Sequence, residues 1–458
     1  MSREPVLFYS TNRAVPRTDL RGALLQGQAA DRGLFMPATL PTLGAADLAA
    51  LAGRPYAEVA WAVLRRFTAG VLDEDRLRAL CQDAYDFEVP LEEVQPRRWL
   101  LRLDRGPTAS FKDFAARMMA RWMGAFMEGG PGDLVILTAT SGDTGSAVAH
   151  AYLGVPRVHS VVLFPRAEVS ARQRQQMTTL GGNVTTFGVD GKFDDCQAMV
   201  KRAFADPDLA DIRKSSANSI NIGRLLPQAV YYVYAYVRLA DVAAREPLVV
   251  SVPSGNFGDL MGAVLAQRMG LPLARVVIAT NANDEVPRFF ATGRYEKIVP
   301  SRVCISNAMN VGHPSNLARL VDAYGGWMDE TGRVLQMPDL VRLRRDFYAV
   351  SISDEETRAT IRDAWERHRT LLEPHGAVGW AGLHRYLAEP DAAASAPAVS
   401  VETAHPAKFP EEIQSLLGVE PELPPSLAGL EARPEEYGRL TTEYAPFRDL
   451  LLKRFAPA

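Results

Sequence analysis

One basic residue type is scarce in this 458-residue chain, and one copy of it stands where its chemistry matters. Of 51 basic side chains seven are Lys, leaving 44 Arg, and Lys112 sits in Thr108-Ala-Ser-Phe-Lys-Asp-Phe-Ala-Ala-Arg117. A composition that meets positive charge with Arg has no electrostatic need for Lys here. Lys adds an amine that can lose its proton in a desolvated site and attack a carbonyl. Ser110 and Asp113 have the spacing of a capping box, which predicts a helix start. Phe111, Phe114, Ala115, Met118, Met119, Trp122 and Phe126 recur at helical spacing and predict one buried face. Lys112 then falls in the first turn, where the helix dipole and an apolar wall both lower its pKa.

Two segments read as a strand, a glycine turn and a helix start: Thr138-Ala-Thr-Ser-Gly-Asp-Thr-Gly145 and Pro253-Ser-Gly-Asn-Phe-Gly258. Converging backbone N–H groups at such a turn suit an anion. Neither is a Walker A loop or a G-x-G-x-x-G dinucleotide fingerprint. Asp143 inside the first would repel a phosphate dianion, whereas the second carries Asn256, with Asp259 just beyond. Charge therefore assigns a phosphate to the second loop and a less anionic group to the first. A reactive lysine, a phosphate cradle, parallel α/β texture and no metal-ligand spacing point together to pyridoxal phosphate, which also needs a partner for its pyridine nitrogen. Thr403, after the last predicted strand, is a suitable neutral hydroxyl. Such a partner would leave the ring nitrogen largely unprotonated and the cofactor a weaker electron sink.

These residues must be positioned by an α/β scaffold. Residues 1–95 read as mostly helical, with clear stretches at 45–53 and 56–69, and Pro90 and Pro96 punctuate the exit. From about 98 to 282, short β-branched runs (134–138, 160–164, 184–187, 248–252, 275–279) alternate with helices (171–180, 194–205, 223–245, 258–269). That alternation predicts parallel sheets with helices on both faces. Residues 339–388 read as mostly helical, followed by a strand at 398–401. The organisation expected is an N-terminal domain (1–95), a core of two α/β subdomains (96–409) and a C-terminal extension packed on it (410–458). A net charge of −3 argues against a nucleic-acid partner. Cys81, Cys196 and Cys304 match no metal or disulfide framework. The lack of a signal sequence, and of any apolar run near the ~18 residues of a span, predicts a cytoplasmic protein without a membrane partner.

The set Ser110-Phe-Lys-Asp-Phe, Thr138-Ala-Thr-Ser-Gly-Asp-Thr-Gly, Ser216-Ala-Asn-Ser-Ile-Asn, Val252-Pro-Ser-Gly-Asn-Phe-Gly-Asp and Thr403-Ala-His-Pro-Ala-Lys-Phe resembles the threonine synthases of the longer bacterial and fungal type. Tyr9-Ser-Thr and Asp31-Arg-Gly-Leu-Phe-Met-Pro37 are similar to that family's opening. The resemblance runs the whole chain in order. It implies fold type II of the pyridoxal-phosphate enzymes, the tryptophan-synthase β group, with an added N-terminal domain. The implied reaction turns O-phospho-L-homoserine and water into L-threonine and phosphate, in a monomer or homodimer. Lys112 would carry the cofactor, Gly255, Asn256, Phe257, Gly258 and Asp259 would hold it, chiefly by its phosphate, and Thr403 would face its ring nitrogen. Ser141, Gly142, Asp143, Thr144 and Asn218 would bind substrate. Asp143 stands where related enzymes often have Asn, and so calls for a shared proton or a nearby cation.

Arg117, Lys408 and Asn218 are candidates for the leaving phosphate, with a structural ion pair the reading preferred for Arg117 and a surface position equally open for Lys408. His375 reads as a structural loop residue, His405 as either an active-site or a packing residue, the Tyr231–Tyr236 cluster as packing, and Cys196 as a small buried side chain. A lyase on the same scaffold, releasing 2-oxobutyrate, and a binding protein without turnover are the alternative functions.

Overall fold

The computed structural model describes residues 4–456. Two parallel sheets carry the core. One has five strands in the order Gly438–Leu440, Val184–Val189, Val158–Pro165, Leu134–Ala139, Lys214–Ser216, all parallel. The other has six, ordered Phe347–Ser351, Leu273–Thr280, Leu248–Pro253, Ala398–Glu402, Arg98–Arg102, Leu91–Gln95, and only the last is antiparallel to its neighbour. The continuous apolar runs of these strands follow from burial on both faces. In Leu134–Ala139, Leu134 and Ile136 pack with Met118 and Met119 of the helix Lys112–Met127, while Val135, Leu137 and Ala139 pack with Cys196 and Met199 of the helix Phe193–Ala205. Alternation along the strand thus serves two cores at once.

The helix Lys112–Met127 starts where the sequence predicts but is buried almost all round, not on one stripe, because it lies inside the junction between the sheets and the N-terminal helices. Each fully buried Met or Phe on it contributes about 1.5–3 kcal/mol. The capping box does not form: Asp113 reaches past Ser110 to accept from the N–H (2.8 Å) and hydroxyl (2.7 Å) of Thr108.

Three other elements depart from expectation for visible reasons. The helix expected over 223–245 is confined to Gln228–Leu239, preceded by a 3₁₀ turn at Ile222–Arg224. Pro227 has no N–H to continue it, and Asp241 turns the chain after it by accepting from the Ala244 N–H. The stretch 339–388 contains a strand, Phe347–Ser351, at the sheet edge, where partial exposure removes the hydrophobic alternation. The hairpin strand Leu91–Gln95 already belongs to the core sheet, and its charges hide it in the sequence. The C-terminal residues supply an edge strand and the helix Tyr444–Phe455, which packs Tyr444, Phe447 and Leu451 against the Cys196 cluster.

Candidate active site

Lys112 is the first residue of its helix, and the loop before it is held from outside. Ser110 bridges Ala404 in antiparallel fashion, Phe111 N–H donates to the Thr403 carbonyl (2.9 Å) and His405 N–H to the Ala109 carbonyl (3.0 Å). Ala109 adopts φ 54°, a left-handed conformation costing about 1–3 kcal/mol for a residue with a Cβ. These contacts place the exit of the strand Ala398–Glu402, and with it Thr403, beside Lys112.

The Lys112 side chain is 14% exposed, and its Nζ lies 3.9 Å from Asp143 Oδ2. Burial pushes its pKa down; Asp143 opposes this, and the positive charges of Lys408 and Arg224 add to the lowering. Asp143 is itself buried, which works upward, but Lys408 and Lys112 outweigh that and hold it well below the usual carboxylate range. Lys408 is fully buried, not on the surface: its Nζ sits 2.7 Å from Asp143 Oδ1 and 3.0 Å from the Thr108 carbonyl. Gln173 Nε2 completes the clamp on Asp143 at 2.9 Å. The carboxylate therefore does have neighbouring cations. Asp143 thus does not by itself make the first loop repel anions, because Lys408 and Lys112 lie against its charge.

The first loop leaves the strand Leu134–Ala139 and opens the helix Asp143–Tyr152. Thr140 Oγ1 accepts from the N–H groups of Gly142 (2.9 Å) and Gly145 (2.7 Å). The N–H groups of Ser141, Asp143 and Thr144 have no acceptor among the described residues, and they sit at a helix N-terminus that favours an anion. Gly142 contributes room: with φ 137°, a Cβ there would lie 2.5 Å from Gln173.

The second loop joins the strand Leu248–Pro253 to the helix Gly258–Arg268, with Phe257 left-handed at φ 63°. Among the described residues, the N–H groups of Gly255, Asn256, Phe257 and Gly258 also lack acceptors. The Asn256 side chain is spent on the scaffold. Its Oδ1 accepts from Ser315 N–H (2.7 Å) and hydroxyl (2.9 Å), and its Nδ2 donates to Ser219 Oγ (2.8 Å). A Cβ on Gly255 would lie 2.9 Å from Met309 Cα, so only glycine fits this approach. The two loops are tied together by adjacent residues, since Asn218 Nδ2 donates to the Ala139 carbonyl at 2.9 Å while Ser219 binds Asn256.

Asp259 faces Tyr231 and Tyr232, whose hydroxyls both donate to its Oδ1, and its buried Oδ2 has no partner among the described residues. Burial raises its pKa to about 6 against the opposing effect of the two tyrosines. A raised folded pKa means that this group's stability is fully present below 3.8 and is lost as pH rises through about 6. Urea unfolding of the cofactor-free protein is expected to show stability falling between about pH 4 and pH 7 by up to about 3 kcal/mol more in wild type than in Asp259→Asn. Equal slopes would remove Asp259 as the cause.

Arg117 lies apart from this centre, on the carbonyls of Ala84 (2.7 Å) and Asp83 (2.8 Å) and on Asp86 (2.7 Å), the structural ion pair expected. His375 is buried at the start of the helix Pro374–Leu387, and its Nδ1 lies 2.5 Å from Glu373. Burial lowers the His405 pKa to about 4, and its Nδ1 accepts from Ala407 N–H. Tyr231 and Tyr232 do more than pack. Glu373, Glu402, Gln173 and Ser219 escaped sequence reading. For Glu373 a signal was present: an acidic residue followed by Pro374 has the pattern of an N-cap and N1 pair.

A nucleophilic amine, two sets of free N–H groups at strand–helix turns and a hydroxyl at a third strand exit fit pyridoxal phosphate. The buried Ser110 Oγ, without a partner among the described residues, and the Gly255 approach leave its polar edge and phosphate something to meet. The sheets and this site define a pyridoxal-phosphate dependent enzyme of fold type II, and the family model of that description matches residues 88–403. The models for the threonine synthase N terminus and C-terminal region match residues 7–85 and 376–450. The threonine synthase of Haemophilus influenzae is 39% identical over 449 residues, covering 97% of this chain and 99% of that protein, and that of Escherichia coli is 38% identical over 431, covering 94% and 95%. Among solved structures, the pyridoxal-phosphate-bound threonine synthase of Brucella melitensis superposes with a TM-score of 0.91 at 34% identity, covering 99% of this chain and 100% of that one. The chain belongs to the threonine synthase family.

Proposed function

We propose that this chain converts O-phospho-L-homoserine and water to L-threonine and phosphate, using pyridoxal phosphate carried on Lys112. The observation that carries the reading is a desolvated Lys112 amine set between two uncommitted N–H cradles, in a chain similar to threonine synthases over its whole length. Bound there, the cofactor supplies an electron sink conjugated to the substrate's Cα. Gly255, Asn256, Phe257 and Gly258 hold its phosphate through backbone N–H groups, Asp259 closes the first turn behind them, and Thr403 meets the ring nitrogen. Ser141, Asp143 and Thr144 offer N–H groups to the substrate carboxylate. Gly142 shapes that loop, and Asn218 ties it to the second. Lys112, whose pKa burial lowers, takes the proton from Cα as the free amine and is placed to move a proton at Cβ. Phosphate then leaves Cγ, the Cγ carbon takes up a proton to become the methyl group, water adds at Cβ, and a proton returns to Cα. Arg117, Lys408 and Asn218 are each committed to partners in the protein, so none of the three candidates presents an idle charge to the leaving phosphate.

The enzyme is read as cytoplasmic, monomeric or homodimeric, and without nucleic-acid or membrane partners. The net charge of −3 gives no broad basic footprint for a nucleic acid, and among the described residues no helix is long and apolar enough to cross a membrane. Residues 1–95, 96–409 and 410–458 are read as N-terminal domain, catalytic core and packed extension. Loaded enzyme given O-phospho-L-homoserine is expected to release threonine and phosphate one for one, measured together with 2-oxobutyrate. Phosphate matched by 2-oxobutyrate would make it a lyase, and no phosphate at all would overturn the reading.

A further inference from the structure

Under the second loop lies a guanidinium that no carboxylate answers. Arg319, on the helix Leu317–Ala323, is fully buried, and its donors meet only neutral oxygens. Nε donates to the carbonyl of Phe35, in the N-terminal strand Phe35–Pro37, at 3.2 Å. Nη1 donates to the Ser219 carbonyl (2.9 Å) and Asn316 Oδ1 (2.5 Å), and Nη2 to the Ile220 carbonyl (2.6 Å). Asp322, on the same helix, is taken by Tyr9 and by Arg13 at 3.0 Å. Arg224 holds the nearby Ala217 carbonyl at 2.6 Å, which adds a second cation to this segment and no anion. Burial lowers the Arg319 pKa to about 9, so the group is still charged at neutral pH. A buried charge is costly unless an opposite charge meets it. Arg319 thus points to an anion that the chain itself does not supply.

The contacts of Arg319 give its charge a route to the second loop. A guanidinium has only donors, which fixes the Asn316 amide with its oxygen toward Arg319 and its nitrogen away from it. That nitrogen donates to the Asn256 carbonyl (2.9 Å) and to Ser219 Oγ (3.0 Å). The Asn256 carbonyl and the Phe257 N–H belong to one peptide unit, and this N–H is among those without an acceptor among the described residues. Guanidinium, side-chain amide and peptide unit therefore stand head to tail. Each donates to the oxygen of the next and polarises it, and the free positive end of the series is the Phe257 N–H. Close packing holds the series in place: a Cβ on Gly258 would lie 3.1 Å from Ser219 Cβ and 3.9 Å from Asn316 Nδ2.

We propose that Arg319 acts through Asn316 as a positioning residue for the cofactor's phosphate, serving as the buried counter-charge that makes the site select the phosphorylated cofactor. The inference rests on the reading of the second loop as the phosphate cradle. The loop's own side chains bring no cation, since Asn256 is neutral and Asp259 is an acid, and its N–H groups offer partial charges only. A phosphate monoester has a second pKa of about 6, and desolvation favours its protonated form. A fixed positive charge behind the donors keeps it doubly ionised. Arg suits this task better than Lys because it stays charged when desolvated, and its planar fork holds Ser219 and Ile220 at the same time.

The test measures the dissociation constants of the apoprotein for pyridoxal phosphate and for pyridoxal, which lacks the phosphate. It also follows the bound phosphate by phosphorus-31 NMR between about pH 5 and pH 8. Arg319→Met is expected to cut the preference for the phosphorylated form by at least about tenfold and to let the bound phosphate titrate within that range. Asn316→Asp gives Arg319 a carboxylate inside the fold and replaces the donor to Asn256 with an acceptor. It is expected to show the same two losses, and it keeps the proposal falsifiable should Arg319→Met fail to fold. A scaffold role alone would weaken both ligands alike, so an unchanged preference in either variant overturns the proposal. A wild-type phosphate that titrates near its free value overturns it without any variant. Equal affinity of wild type for the two ligands would remove the phosphate from the second loop, and with it the reading on which the inference rests.

Discussion

Lys112→Arg is expected to keep its fold and lose turnover by at least about 10³-fold. The substitution separates charge from chemistry. A guanidinium at the start of the helix Lys112–Met127 still faces Asp143, so the buried carboxylate keeps a positive neighbour besides Lys408. What disappears is the neutral amine, because Arg stays protonated in proteins. The cofactor should then fail to become covalently attached, which borohydride reduction and mass spectrometry of the intact chain would read directly. The extra bulk in a largely buried site is expected to cost about 1–3 kcal/mol, a loss that leaves a cooperative unfolding transition. Covalent attachment with turnover within tenfold of wild type would take Lys112 out of its role.

The elements that position the site were legible where burial is complete. Strands such as Leu134–Ala139 and Leu248–Pro253 are buried at every position and apolar at all but Thr138 and Ser251, and the glycine turns after them stand out against that background. Edge strands were not legible: Phe347–Ser351 and Leu91–Gln95 lie half in solvent, so charge and helix-like spacing overwrite the alternation. The helix expected over 223–245 was too long because the Tyr-rich run continues an apolar pattern through Pro227, where the backbone cannot follow.

Within the site, residues whose role depends on their own chemistry were readable, and residues defined by a distant partner were not. Lys112 announces itself by type and Gly255 by its turn. Lys408 reads as a residue after a turn, and only folding brings it to Asp143. Glu373 and Glu402 look like ordinary acids until Gly376, a residue without a side chain, lets them share one space. The Asn256 side chain seemed suited to a ligand, yet it is consumed by Ser219 and Ser315, and the backbone is what remains for the phosphate.

The Asp143–Lys408 pair sets a second, opposite-signed expectation. Lys408→Met leaves a buried carboxylate with Lys112 as its remaining cation at 3.9 Å, and Asp143→Asn leaves two buried ammonium groups without an anion. Each is expected to cost about 3–5 kcal/mol, read as a lower urea midpoint, whereas the double variant, which removes both charges, should recover most of that loss. Asp143 is depressed in the folded protein, so its stability is present above its unfolded pKa and lost as pH falls; the double variant should lack that part of the acid sensitivity. The kinetic effects differ in sign. Lys408 lowers the Lys112 pKa and Asp143 raises it, so the amine becomes free at higher pH in Lys408→Met and at lower pH in Asp143→Asn. The rate at which apoprotein captures pyridoxal phosphate should therefore rise with pH along limbs displaced in opposite directions from wild type. Destabilisation alone would move neither limb, so two coincident limbs, or two displaced the same way, would reduce the pair to a scaffold contact.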